Sequence, residues 1–195
     1  MEQITNILYW LSTGLMIPVT LLLVYFFVRA VVTIGALYGE HLARLKTNKH
    51  INRELDTTEA AAFLLTLDEY KEKSALVSSL RRIAAAKGRQ AMVDKIVGDH
   101  EIIADKQIGT SKLLVKIGPM LGLMGTLIPM GPALVGLATG DVASMASNMQ
   151  VAFSTTVVGI IIGAIGFVSL QIKQRWAADD MNILEYIAAS IKENK

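Results

Sequence analysis

The chain has 195 residues, 52% of them hydrophobic, with a mean hydropathy of +0.45 and a formal net charge of +2. It is too apolar for an ordinary soluble domain. The absence of cysteine excludes disulfides, thiolate metal sites and cysteine nucleophiles.

Charge placement says more than net charge. No charged side chain lies between Glu2 and Arg29, between Lys116 and Asp141, or between Asp141 and Lys173. A helix crosses the hydrocarbon core with about 20 apolar residues. The pattern therefore predicts an all-α integral membrane protein with three transmembrane helices. The expected organisation is a first span within 1–38, a cytoplasmic helical region over 39–111, and a second span over 112–140. An outer turn and third span follow over 141–172, and a cytoplasmic C-terminal helix over 173–195.

The first span, about Ile7–Tyr38, exceeds what a bilayer needs and reads as one continuous helix, tilted or protruding. Tyr9 and Trp10 fall where an outer aromatic belt would lie, Pro18 is a candidate kink, and Arg29 can snorkel to the inner surface. The segment lacks the basic start and short apolar core of a cleavable signal peptide. From Gly39 to Ser111, apolar residues recur at helical intervals among charges. Asp56 and Glu59 form a capping-box start. Ser74–Ala86 ends near Gly88, a natural C-cap. Arg89–Ile108 repeats apolar residues at Met92, Val93, Ile96, Ile102 and Ile103. Asp94, Asp99, His100, Glu101 and Asp105 could be read as a metal cluster, but adjacent His100 and Glu101 diverge on a helix. The expectation is a solvated face, with His41 and His50 also at the surface, and no metal or cofactor. No histidine lies in a span to activate Ser154 or Ser169, so no enzymatic centre is expected.

The second span carries Gly118, Gly122, Gly125, Thr126, Pro129 and Pro132. Their spacing places small residues on one face, where neighbouring backbones can approach in lipid. Pro119 falls in the first turns of the span, where proline is tolerated. Pro129 and Pro132 cannot donate to the carbonyls of Gly125 and Ile128. A free carbonyl is costly in hydrocarbon, so Thr126 beside it is expected in a protein-lined or hydrated lumen. Gly140-Asp141 reads as the turn, with Asp141 capping the next helix. The third span repeats small and hydroxyl residues at Asn148, Ala152, Thr155, Thr156, Gly159, Gly163 and Gly166. Val151, Val158, Ile161, Ile162, Ile165 and Val168 suit lipid or the first span.

Most Lys and Arg lie between Tyr38 and Thr110 or after Ile172, and none lies in Gly136–Gln150 or before Ile7. The positive-inside rule puts the middle segment and tail in the cytoplasm and the N-terminus outside.

The run Ile117-Gly118-Pro119-Met120-Leu121-Gly122-Leu123-Met124-Gly125-Thr126-Leu127 resembles the "APLLGLLGTV" segment of the MotA/TolQ/ExbB proton-channel family. Ala152-Phe153-Ser154-Thr155-Thr156-Val157-Val158-Gly159 resembles that family's third-span "ALxTTxxG" segment. The three-span, N-out topology and short cytoplasmic region resemble TolQ and ExbB more than the flagellar stator protein. The resemblance implies a pentameric helical ring around a single-span TolR/ExbD/MotB-like partner, whose membrane aspartate carries the ion, proton or sodium. It also implies a stator role, coupling ion flow to mechanical work across the envelope. It makes Thr126 and Thr156 lumen residues, supported by Thr155, Ser154 and Gln150, while Gly118, Gly122, Gly125, Gly159, Gly163, Pro129 and Pro132 set packing and kinks. The chain departs from the family pattern at Val151, where ExbB members carry glutamate beside what is here Gln150, and at Pro129, where glycine is usual. Two rival functions are a non-conducting membrane scaffold and a small self-sufficient transporter.

Overall fold

The computed structural model describes residues 2–57, 63, 67, 74–86 and 89–193. Among them the structure is helical without strands: α1 (Glu2–Gly14), α2 (Met16–Thr57), α3 (Ala75–Ala85), α4 (Gln90–Thr139) and α5 (Val142–Glu193). Three helices are long and apolar enough to cross a membrane, in Met16–Arg44, Gln90–Thr139 and Val142–Glu193. The chain forms two compact units. One holds residues 1–35 and 110–169, and the other holds 36–109 and 170–195.

In the first unit, the expected continuous first span is instead two helices divided at Leu15. Pro18 has no N–H for the carbonyl of Gly14, and the break falls one residue after that carbonyl. Bonds from Leu15 N to the Leu11 carbonyl (3.2 Å) and from Val19 N to the Leu15 carbonyl (3.0 Å) carry the chain across. Helix α4 continues through Pro119, Pro129 and Pro132. The α4–α5 turn is tight: Gly140 takes φ +76°, a left-handed conformation that glycine adopts without a Cβ penalty. The carboxylate of Asp141 accepts a 3.0 Å bond from the backbone N–H of Ser144, capping α5.

The second unit has a conventional apolar core. Leu76, Val77, Leu80 and Ile83 of α3 meet Val93 and Ile96 of α4 and Ile183, Leu184 and Ile187 of α5, with Ile51, Phe63 and Leu67. Ser74 caps α3, its hydroxyl accepting from Val77 N at 3.2 Å. The expected Asp56–Glu59 capping box and the Gly88 C-cap reach outside the described residues.

His100 corrects the expectation of a solvated face. It is 1% exposed and continues the stripe of Val93 and Ile96 into the core. The acidic residues around it part company. Asp94 accepts from Gln90 at 2.9 Å and Asp99 from Arg82 at 2.8 Å, and Glu101 and Asp105 are exposed. The Arg82 guanidinium beside Asp99 holds that carboxyl below its ordinary range. His41 is exposed, as expected, and stacks on Trp176 with ring centroids 5.9 Å apart.

Candidate functional site: the hairpin of α4 and α5

The glycines of α4 and α5 bring two backbones into direct contact. A Cβ on Gly159 would lie 2.6 Å from Cα of Gly122 and 2.7 Å from the carbonyl oxygen of Gly118. A Cβ on Gly118 would lie 2.8 Å from N of Gly163, and one on Gly125 would lie 2.6 Å from the side chain of Thr155. Gly163 meets the ring of Pro119 in the same way, and Gly166 meets Leu114. The contact pairs 125 with 155, 122 with 159, 118 with 163 and 114 with 166 fix an antiparallel register. Contact positions recur every three to four residues, about one per helical turn, which keeps one face of each helix at the contact.

This register determines what lies on each side. Successive residues advance about 100° around a helix. Viewed down the hairpin, antiparallel helices turn in opposite senses, so residues that follow contact residues fall on one shared flank. Residues that precede them fall on the other. The preceding residues Ile117 and Leu121 on α4, and Val158, Ile162 and Ile165 on α5, pack in one cluster with Val19, Leu23, Phe26 and Ala30 of α2. The first span therefore covers that flank.

The other flank is left uncovered by α2. Thr126 follows Gly125 and Thr156 follows Thr155, so both stand on it at the same level. Gly122, one turn before Thr126, has its Cβ direction 3.5 Å from Cα of Thr156. Both threonines are half-buried, among exposed Leu123, Met130, Phe153 and Ile160. They form the polar pair in an apolar strip. The Thr126 hydroxyl donates to the Leu123 carbonyl at 2.7 Å and Thr156 to the Ala152 carbonyl at 3.3 Å. With their protons engaged, the two oxygens can present lone pairs to a cation or to water.

The remaining hydroxyl and amide candidates separate from this pair. Thr155 is buried in the hairpin contact itself, its hydroxyl donating to the Ala152 carbonyl at 2.9 Å. Within one subunit it packs against Gly125. Ser154 precedes Thr155 and sits one turn before Val158, toward the α2 flank. It is exposed and donates to the Gln150 carbonyl at 2.8 Å, and Gln150 is also exposed. Pro129 is buried and Pro132 half-buried. In the second unit, Asp180, Arg44 and Trp176 form contacts with His100 and His41 that residue-type scanning passed over. Their signal was positional, because Asp180 stands one turn before the buried Ile183 and Leu184 on their stripe.

No curated protein and no solved structure gives a match. The family model described as the MotA/TolQ/ExbB proton channel family matches residues 69–185, more than half of the chain, and that stretch includes the whole hairpin contact. The chain belongs to the MotA/TolQ/ExbB proton channel family.

Proposed function

We propose that the protein is the ring-forming subunit of an ion channel and stator, assembled as a pentamer around a single-span TolR/ExbD/MotB-like partner. The observation that carries this reading is the flank of the hairpin opposite α2, where Thr126 and Thr156 stand level with each other. Between Lys116 and Lys173 the only ionisable side chain is Asp141, in the turn, so the two spans carry no titratable group of their own. Charges in hydrocarbon are costly and usually functional. A carboxylate from a partner would supply the ion-binding group, and the threonine oxygens would line its route. In this reading the protein sits in the cytoplasmic (inner) membrane with its N-terminus outside. It is not an enzyme, and it converts ion flow into work on the partner.

Co-reconstitution of the chain with a candidate partner in vesicles tests the reading. Partner-dependent flux is expected under a proton or a sodium gradient, and the gradient that drives it identifies the ion. Thr156→Val should leave the oligomer assembled and reduce that flux. Unchanged flux would remove Thr156 from the pathway, and absence of flux under either gradient would leave a scaffold.

A further inference from the structure

The second unit contains a line of buried polar groups that the ion-pathway reading does not use. His100 Nδ1 lies 3.0 Å from Ser79 Oγ, and its Nε2 lies 3.9 Å from Asp180 Oδ2. Asp180 accepts two 2.9 Å bonds from the guanidinium of Arg44. Arg44 also reaches Glu40 at 3.4 Å and sits 5.0 Å from the ring centroid of Trp176. Ser79, His100 and Asp180 are each no more than 2% exposed. Four helices each contribute one member: Arg44 from α2, Ser79 from α3, His100 from α4 and Asp180 from α5. Beside them lies a cavity of about 10 Å³, with Glu40 and Lys173 on its wall, room for about one water.

The geometry selects a tautomer. A proton on Nε2 points toward the Asp180 carboxylate and leaves Nδ1 to accept from the Ser79 hydroxyl. The other tautomer would aim a lone pair at the carboxylate. We propose that His100 is a proton-binding site and an acid-sensitive latch of this unit: when protonated, it competes with Arg44 for the single carboxylate of Asp180.

Protonation adds a proton at Nδ1, so Ser79 must turn from donor to acceptor. Its O–H is then free to bond a backbone carbonyl one turn back, as helical serines commonly do. The imidazolium faces Asp180 from 3.9 Å while Arg44 holds the same carboxylate through both oxygens. Among the described residues, Ser79 of α3 and Asp180 of α5 face His100 directly, Arg44 of α2 holds Asp180, and Glu40 of α2, Gln107 of α4 and Lys173 of α5 stand on the wall of the adjoining cavity. Arg82 of α3 is engaged by Asp99. Burial holds the imidazole below its ordinary value of 6.5, Asp180 opposes that shift, and Arg44 adds to it.

The sign of the effect follows from where each state takes up its proton. Above 6.5 His100 is neutral whether the unit is folded or unfolded. As pH falls below 6.5 the unfolded chain binds the proton first. Stability therefore drops until the folded value is reached and then levels off. This inference does not depend on the channel reading.

The test uses the full chain in lipid nanodiscs with isotope-labelled histidine. Nuclear magnetic resonance should show one histidine titrating below 6.5, identified by its loss in His100→Gln. Between 6.5 and the pH at which this histidine titrates, amide exchange protection in 75–85 and 176–187 should fall in the wild type and stay flat in His100→Gln. Ser79→Ala, which removes the acceptor for the imidazolium Nδ1–H, should move the wild-type titration further down. If His100 titrates at or above 6.5, the proposal fails. It fails equally if protection is unchanged between 6.5 and the His100 titration, or if His100→Gln keeps the same acid-induced loss. Where His100→Gln does not fold, the same signal is identified by its shift in Ser79→Ala, and the wild-type titration and exchange data then decide the matter.

Discussion

Over 114–166 the hairpin brings α4 and α5 together backbone to backbone, with glycine where a side chain would intervene. Over 93–100 and 180–187 the same two helices belong to a unit packed through Val, Ile and Leu around one buried ionic network. In lipid, moving an apolar side chain from tails to protein gains little, so association depends on close van der Waals approach. In water, burial of apolar area is the main driving term. The residue choice in each unit follows its solvent: small residues at the contact in one, branched aliphatics in the other.

The largest expected effect separates these two modes. Asp180→Ala leaves the Arg44 guanidinium without its bidentate partner in a largely buried site. It should destabilise the second unit by about 3–5 kcal/mol while sparing the hairpin, read by limited proteolysis and amide exchange over each unit. Replacing Arg44 and Asp180 together by apolar residues of similar size should recover most of that loss. Gly159→Ala should act on the other unit. Its new methyl meets backbone, 2.6 Å from Cα of Gly122, and overpacking of this kind costs about 1–3 kcal/mol, measured as a fall in thermal stability in detergent. The smallest effect has the opposite sign. Gly98 is helical, exposed and has nothing within 4 Å of its Cβ direction. Gly98→Ala should therefore stabilise by about 0.5–1 kcal/mol. Equal responses at Gly98 and Gly159 would erase the distinction between contact glycines and merely helical ones.

Much of this was legible from residue pattern because lipid imposes simple rules. Charge-free stretches marked three spans, Gly140-Asp141 marked the turn, and Ser74 marked the start of α3. The small residues at 118, 122, 125, 159 and 163 announced a close contact. Their pattern left open what the small face meets, and the structure shows that it meets the other helix of the same hairpin. Periodicity alone grouped Thr155 with Thr126 and Thr156, since one residue is only a 100° turn. The partner helix was needed to put Thr155 inside the contact and its neighbour on the flank. The break at Leu15 was missed because Pro18 reads as a local kink, and its consequence appears at the carbonyl four residues earlier. His100 was misread through its charged neighbours, although it stands seven residues after Val93 and four after Ile96 on their buried stripe.

The central proposition is that the Thr126–Thr156 flank borders a wet pathway once copies of the chain assemble with their partner. The native chain has no cysteine, so single cysteines can be placed at Thr126, Thr156 and, on an outer exposed face, Ile161 without background. Labelling the assembled complex in membranes with a charged, water-soluble thiol reagent should modify Thr126→Cys and Thr156→Cys and leave Ile161→Cys unreacted. Inert cysteines at both 126 and 156, with the complex intact, would contradict it.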